Sequence, residues 1–150
     1  MRHERGFSYV VVMFLVAVTA ITSVRALENV QVSERRDKEA ELLWRGMAYR
    51  NAIRDYYLDS PGTAHSFPQQ LSALLLDERF TRPRRPLRRL YRDPMTEDGN
   101  WGLVHNNDGA LIGVYSRSSA KPLKQAGFVP ELQAFTGTQR YSDWKFVFQP

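Results

Sequence analysis

The longest apolar stretch of the chain covers residues 7 to 24, which carry no charged side chain between Gly6 and Arg25. As a helix that rises about 1.5 Å per residue, this stretch is roughly 27 Å long. That length is close to the hydrocarbon thickness of a bilayer, about 30 Å. Arg2 and Arg5 mark the preceding segment as the cytoplasmic side. The pattern predicts a transmembrane helix over residues 7–24, with the rest of the chain outside the cytoplasm.

The helix is predicted to continue over residues 25–59, because neither proline nor glycine occurs between Arg25 and Gly46. Its first part is polar. From Leu42 onward, apolar positions recur in alternating steps of four and three residues, which is the spacing of one helix face. This stripe consists of Leu42, Gly46, Tyr49, Ile53 and Tyr56.

We expect the stripe to pack against a sheet, with Gly46 allowing close approach of another element. The neighbouring aromatic residues Trp44 and Tyr57 are also expected in the core, because aromatic side chains at helical spacing usually bury their area. The sequence Ser60-Pro61-Gly62 should end the helix.

Residues 60–150 are predicted to form one small globular α+β domain. A short helix is expected over residues 67–76, and a first strand is expected to begin at Trp101. The turn 106–109 contains Asp-Gly, which favours a hairpin with a return strand over residues 110–116. A third strand is predicted over residues 144–148, which alternate in polarity. The predicted fold is a long N-terminal helix packed on a small antiparallel sheet of about three strands.

Charge is concentrated in one segment. Seven arginines and no acidic residue occur between positions 79 and 92: Arg79, Arg82, Arg84, Arg85, Arg88, Arg89 and Arg92. Without them, 14 of the 21 basic residues remain against 16 acidic ones, so the net charge of +5 is local. The arginines are candidate anion-binding residues, for lipid headgroups, nucleic acid or an acidic partner. The favoured alternative is a solvated loop in which they pair with Asp77, Glu78, Asp93 and Glu97.

Catalytic and metal-binding patterns are not apparent. The chain has no cysteine, and its 3 histidines have no metal-ligand spacing or neighbouring nucleophile. Asp93, Glu97, Asp98, Asp108 and Asp143 offer oxygen ligands for calcium, but their spacing matches no dense calcium loop. We therefore predict a protein that is not an enzyme and has neither a cofactor nor a metal site.

Three interpretations of the amino-terminal segment remain open. It is a secretory signal peptide cleaved after Ala26, an uncleaved membrane anchor, or a six-residue leader that ends at Gly6. The third interpretation follows from Arg5-Gly6-Phe7-Ser8, a basic leader that ends in glycine and is followed directly by the apolar stretch.

The tetrapeptide resembles the processing site of type IV pilins and of type II secretion pseudopilins. Residues 90–94, Leu-Tyr-Arg-Asp-Pro, followed by Trp101-Gly102-Leu103, are similar to the loop that enters the first pseudopilin strand. Residues 112–116, Ile-Gly-Val-Tyr-Ser, resemble the second. The resemblance implies cleavage between Gly6 and Phe7 by the prepilin peptidase, which also methylates the new amino terminus on Phe7.

The resemblance also implies location and partners. The subunit is expected as a single-pass protein of the bacterial inner membrane, with a cytoplasmic N-terminus and a periplasmic C-terminal domain. Its expected partners are the peptidase, other pilin-like subunits, the inner-membrane assembly platform and the lipid bilayer. Nucleic acid is a less favoured partner, through the arginine run. The alternative function is a membrane-anchored periplasmic module that binds polyanions through residues 79–92.

One position departs from the family pattern. The fifth residue of the mature pilin chain is usually glutamate, thought to pair with the terminal amine of a neighbouring subunit. Counted from Phe7, this chain has Val11. A carboxylate in a membrane costs roughly 2.5–3.5 kcal/mol on insertion scales, so the family keeps it only with a partner. The resemblance and this departure together predict a minor or tip component of the filament.

Overall fold

The computed structural model describes the backbone of residues 4–150 and the side chains of residues 8–20 and 30–150. Its architecture is α+β, with an N-terminal helix and a three-stranded antiparallel sheet. The fold class and the number of strands therefore agree with the prediction from the sequence. The chain divides into two compact units, Met1–Asp37 and Lys38–Pro150.

The helix α1 extends over Glu4–Leu58. It passes residue 25 without interruption, which confirms the prediction drawn from the missing proline and glycine. Beyond its end the Ser60 hydroxyl donates to the Tyr56 carbonyl over 3.3 Å, and Gly62 adopts a positive φ of 88°. The predicted breaker Ser60-Pro61-Gly62 therefore begins two residues after the last residue of the helix.

The predicted membrane span, residues 7–24, includes positions 7 and 21–24, which lie outside the described side chains. Among the residues that the structure describes, no helix is long and apolar enough to cross a membrane.

In the second unit, the stripe on α1 forms one side of the core. Leu42 and Ile53 are fully buried, and Tyr49 is 1% exposed. A β-carbon added at Gly46 would overlap the ring of Phe146, which confirms that glycine allows close approach at this position. Trp44 contradicts the prediction for the aromatic residues, because 59% of its surface is exposed.

The sheet has the order β1 (Trp101–His105), β2 (Leu111–Ser116), β3 (Lys145–Val147), and all pairs are antiparallel. The predicted hairpin is confirmed: Gly109 has a φ of 77°, and the Asn106 side chain accepts a hydrogen bond from the Ala110 amide at 2.8 Å. The third strand is shorter than predicted. The Trp144 amide donates to the Tyr141 carbonyl at 3.0 Å and so closes a 3₁₀ turn instead of joining the sheet.

The predicted helix over residues 67–76 is wrong except for one 3₁₀ turn, Leu71–Leu74. Two backbone carbonyl groups of residues 67–76 accept hydrogen bonds from other segments of the chain. The Leu111 amide donates to the Pro68 carbonyl at 2.9 Å, and the Leu87 amide donates to the Leu74 carbonyl at 2.8 Å. Because these carbonyls serve long-range bonds, the chain does not continue as a helix despite its leucine spacing.

The remaining residues, 117–143, lack strands and contain 3₁₀ segments at Pro130–Phe135 and Tyr141–Asp143. They bring several aromatic residues into the core. Phe135 stacks on Trp144 with ring centres 5.2 Å apart, and Phe128 meets the same indole edge-on at 5.4 Å. This part of the core was not predicted from the sequence.

Candidate functional site

The predicted processing residues Gly6 and Phe7 lie on α1, but their side chains are outside the described residues. Val11 is on the same helix and 40% exposed. Around it, the large apolar side chains from Tyr9 to Val18 are all between 40% and 68% exposed. Contiguous exposed apolar surface of this kind is typical of segments that contact another apolar surface.

The arginine run of residues 79–92 divides into two groups. The first group, Arg79 and Arg84, pairs with carboxylates. Arg79 forms a bidentate contact with Asp77, with Nε and Nη2 donating to the two carboxylate oxygens at 2.8 and 2.7 Å. Asp77 is 2% exposed. The hydrogen bonds from Arg79 hold the pKa of Asp77 below its ordinary value, which outweighs the opposing effect of burial.

Arg79 also contacts the end of α1. Its guanidinium carbon lies 3.5 Å from the ring centre of Tyr56, and Nη2 donates to the Tyr56 carbonyl at 2.7 Å. Burial raises the pKa of the Tyr56 hydroxyl. Nη1 donates to the hydroxyl of Ser60 at 2.9 Å. Arg79 therefore joins the segment after the helix to the helix itself, and it is not available to an external anion.

Arg84 is the other paired member. It donates to Asp59 at 2.9 Å, and its backbone pairs with that of Asp77 in an isolated bridge. The prediction of local carboxylate partners is thus confirmed for Asp77 with Arg79. Asp59, which lies directly after α1, was not predicted as a partner. Asp93 is wrong as a partner, since its carboxylate accepts from the Ser116 hydroxyl at 2.7 Å.

The second group is exposed: Arg82, Arg85, Arg88, Arg89 and Arg92. Arg85 donates to the Leu75 carbonyl at 3.1 Å, and Arg92 donates to two carbonyls, those of Glu97 and Asp98, both at 3.1 Å. The guanidinium carbon of Arg89 lies 5.2 Å from the ring centre of Tyr91. None of the five has a carboxylate partner among the residues whose side chains are described.

Two of these arginines line a surface cleft with a volume of about 290 Å³, formed by Arg45, Arg89, Leu90, Tyr91 and Arg92. A second cleft, of about 390 Å³, shares Leu90, Tyr91 and Arg92 and extends to Trp101 and Leu103. Trp44 stands beside them, with its ring centre 5.0 Å from that of Tyr91 in an edge-on contact. The clefts thus combine guanidinium groups with exposed aromatic and aliphatic surface.

The shared wall of the clefts is fixed by side-chain hydrogen bonds to its backbone carbonyl groups. The Tyr91 carbonyl accepts from the Tyr49 hydroxyl at 2.9 Å and from the Trp101 indole at 3.0 Å. Burial raises the pKa of Tyr49 to about 12, so its hydroxyl stays protonated and donates. Arg45 donates to the Arg92 carbonyl and pairs with Glu41.

A buried carboxylate on α1 was missed in the sequence. Glu39 is 5% exposed, and its oxygens accept from the Leu123 amide at 2.7 Å and the Lys124 amide at 2.9 Å. The Tyr141 hydroxyl donates to it at 2.7 Å. One signal was available: Glu39 lies three residues before Leu42 and so extends the apolar stripe backward. A carboxylate on that face requires donors from the packed segment.

Two of the acidic residues considered for calcium, Asp98 and Asp143, accept hydrogen bonds within turns. The Asp98 carboxylate accepts from the Asn100 amide at 3.2 Å, and Asp143 accepts from the Arg140 amide at 3.2 Å. Among the described residues, no three histidine, aspartate or glutamate side chains are grouped so as to hold a metal ion. His65 stacks on Tyr57 with ring centres 5.0 Å apart.

Comparison with known proteins adds no relative. No protein-family model matches the chain, and neither a curated protein nor a solved structure matches it. The function is therefore inferred from the residues themselves: the amino-terminal segment, the exposed arginines and the clefts beside Trp44.

Proposed function

We propose that this chain is a pilin-like subunit of the pseudopilin type, which is inserted in the bacterial inner membrane and assembled into a periplasmic filament. The machine would be of the type II secretion or type IV pilus kind. The observation that carries the proposal is the sequence Arg5-Gly6-Phe7, which is followed directly by uncharged residues as far as Arg25. The predicted role is structural, not enzymatic.

The exposed apolar side chains of Tyr9 to Val18 support the membrane part of the proposal. Exposed apolar surface costs about 25 cal/mol per Å² in water, so a run of large side chains that are 40–68% exposed is stable only when lipid or neighbouring helices cover it. Thr19 is compatible with contact to lipid or to a neighbouring helix, because its hydroxyl donates to the Val16 carbonyl at 2.9 Å within the helix.

The α+β architecture of the second unit is compatible with the proposal without being specific to it. A helix stripe packed on a three-stranded antiparallel sheet is what the resemblance implies for a pseudopilin. Val11, in place of the family glutamate, favours a minor or tip position, because this subunit offers no carboxylate to a neighbour's amine. Its own amine, freed by cleavage, remains available to another subunit.

A second candidate function is polyanion binding by the exposed arginines. The observation in its favour is that Arg82, Arg85 and Arg88 are exposed and have no carboxylate partner among the described residues. In that case, the chain would bind DNA or anionic vesicles with an affinity that falls steeply as salt rises. Exchanging Arg85, Arg88 and Arg89 for glutamine would abolish this binding, whereas the filament subunit requires none.

The deciding experiment is the mass and amino-terminal residue of the protein isolated from membranes of cells that contain a prepilin peptidase. We expect a chain that begins at N-methylated Phe7. Replacing Gly6 by leucine should block cleavage, because a side chain at that position hinders the approach of the extended leader to the peptidase. Replacing Ser8 by alanine is the matched control and should leave cleavage unchanged.

Two other results would refute the proposal. A mature chain that begins at Leu27 identifies a secretory signal peptide, and an intact chain from Met1 identifies a plain anchor. The minor or tip position is tested separately by quantitative mass spectrometry of sheared filaments. We expect this chain far below the major subunit, and Val11→Glu to alter its incorporation; a bulk share of the filament would contradict the tip assignment.

A further inference from the structure

The two clefts beside Trp44 form one continuous surface, because they share the wall made by Leu90, Tyr91 and Arg92. We call it the aromatic–arginine surface and define it by Trp44, Arg89, Leu90, Tyr91, Arg92 and Leu103. It belongs to the second unit of the chain and involves none of the residues on which the proposed processing and membrane insertion depend. Binding at this surface therefore does not depend on the proposed function.

Three large apolar side chains are exposed at this surface. Trp44 is 59% exposed, Leu90 43% and Leu103 40%. A single exposed leucine is ordinary, but here Leu90 and Leu103 line the clefts, and Trp44 packs against the Tyr91 ring that both clefts share. Tryptophan, tyrosine and arginine are also the residues that contribute most to protein–protein binding. The composition is that of an interface and not of a solvated loop.

The positive charge of the aromatic–arginine surface indicates which chemistry a partner needs. Arg89 contacts only the Tyr91 ring, and Arg92 donates only to the carbonyls of Glu97 and Asp98, so neither guanidinium is neutralised by a carboxylate within the described part of the chain. Arg45, at the back of the first cleft, is already paired with Glu41. The surface thus presents two uncompensated positive charges to a partner, and carboxylates complement them with short, charge-assisted hydrogen bonds.

The wall between the clefts is fixed before any partner arrives. The Tyr91 carbonyl accepts two side-chain hydrogen bonds, from Tyr49 and Trp101, and the Arg92 carbonyl accepts one from Arg45. Since the backbone at these positions is tied to α1 and to β1, binding orders few additional groups. A prearranged surface loses less conformational entropy on binding and is suited to a short segment.

We infer that the aromatic–arginine surface binds an acidic segment of another polypeptide. An aromatic or leucine side chain of that segment enters the cleft beside Leu90 and Leu103, and flanking aspartate or glutamate residues meet Arg89 and Arg92. A polypeptide is favoured over DNA or lipid headgroups because a bare polyanion would use the arginines and leave the aliphatic wall uncovered. A segment in which carboxylate and apolar side chains alternate contacts both the arginines and the aliphatic wall.

The test is selection from a display library of random peptides about a dozen residues long, carried out on the full-length chain in dodecyl maltoside micelles. We expect the selected peptides to be enriched in aspartate and glutamate around an aromatic residue or leucine. Affinities are then measured by fluorescence anisotropy of the labelled peptides. Arg89→Gln and Trp44→Ser should each weaken binding by about tenfold or more, the loss typical of an interface hot spot.

Arg82→Gln is the matched control, since it removes the same charge from an exposed arginine that lines neither cleft. It should change the affinity by less than about twofold. The inference is overturned if the selected peptides lack acidic residues, if Arg82→Gln weakens binding as much as Arg89→Gln, or if Trp44→Ser has no effect. It is also overturned if oligothymidine or phosphatidylglycerol vesicles compete with the peptides and lose affinity equally in all three variants, which identifies a diffuse polyanion site.

Discussion

Replacing Glu39 by alanine is expected to destabilise the second unit far more than its position on a charged helix suggests. The carboxylate is 5% exposed and accepts three hydrogen bonds, two from the backbone amides of Leu123 and Lys124 and one from the Tyr141 hydroxyl. Alanine removes the acceptor of these three hydrogen bonds. The change therefore tests whether a single helix side chain holds the strandless segment 117–143 in place.

The magnitude follows from the surroundings of each donor. The Tyr141 hydroxyl bond is buried, and loss of its acceptor costs about 1–3 kcal/mol. The two amides are partly buried and regain some hydrogen bonding from water, so each costs about 0.5–1.5 kcal/mol. Removing a buried charge recovers part of this sum. We expect Glu39→Ala to lower the free energy of unfolding by about 2–3 kcal/mol.

The assay is urea denaturation of the full-length chain in dodecyl maltoside, followed by tryptophan fluorescence. Trp144 is a local reporter, because its ring centre lies 5.2 Å from that of Tyr141. Glu41→Ala is the matched control: it removes the same side chain two residues away, where the Glu41 side chain is 48% exposed and pairs with Arg45. Such a pair contributes at most about 1 kcal/mol.

Tyr141→Phe completes the design, since it removes one donor and keeps the ring. It should cost about 1 kcal/mol alone and little further in the Glu39→Ala background, because the two groups share one hydrogen bond. Equal destabilisation by Glu39→Ala and Glu41→Ala would refute the reasoning. It would mean that the Glu39 hydrogen bonds are replaced by water at no net cost.

Two further predictions concern the core and the buried ion pair. Gly46→Ala should destabilise the second unit by about 1–2 kcal/mol in the same urea assay, because the new methyl group overlaps the Phe146 ring; a cost that does not shrink in a Phe146→Leu background would contradict this. Arg79→Gln should cost about 3 kcal/mol at neutral pH, since it leaves the charge of Asp77 buried and unpaired, whereas Arg82→Gln should change little. The lowered pKa of Asp77 means that the stabilisation is present above the unfolded aspartate value of about 3.9 and is lost as pH falls through the folded value. The difference in stability between the Arg79→Gln variant and the wild type should therefore narrow in acid, and a constant difference across pH would refute the assignment.

The elements that the sequence predicted well are those specified by neighbouring residues. The stripe from Leu42 to Tyr56 repeats over four helical turns, and the Asp108-Gly109 pair supplies the positive φ of the hairpin. The predicted helix over residues 67–76 failed because its leucine spacing was outweighed by hydrogen bonds to distant residues, such as that from Leu111 to the Pro68 carbonyl. Local spacing contains no information about such bonds.

Prediction of the candidate surfaces from the sequence was limited in the same way, because it also depended on contacts between distant residues. The arginine run was evident in the sequence, but which of its members pair with a carboxylate depends on Asp59 and on the fold around Asp77. Trp44 was expected in the core because aromatic residues usually are, although it stands two residues from the nearest stripe position. Trp44 packs beside Tyr91, which lies 47 residues further along the chain. The periodicity of apolar residues along a helix does not predict a contact between such distant positions.

The pairing of Gly46 with Phe146, and of Glu39 with Tyr141, has a consequence for biosynthesis. The two residues of the second pair are 102 positions apart, so the helix leaves the ribosome long before the side chains that cover it. The β1–β2 hairpin is able to form from adjacent residues, but closing so large a loop is entropically costly and slow. Until the last strand has been synthesised, the Phe146 ring that packs on Gly46 is missing, and part of the stripe on α1 stays in contact with water.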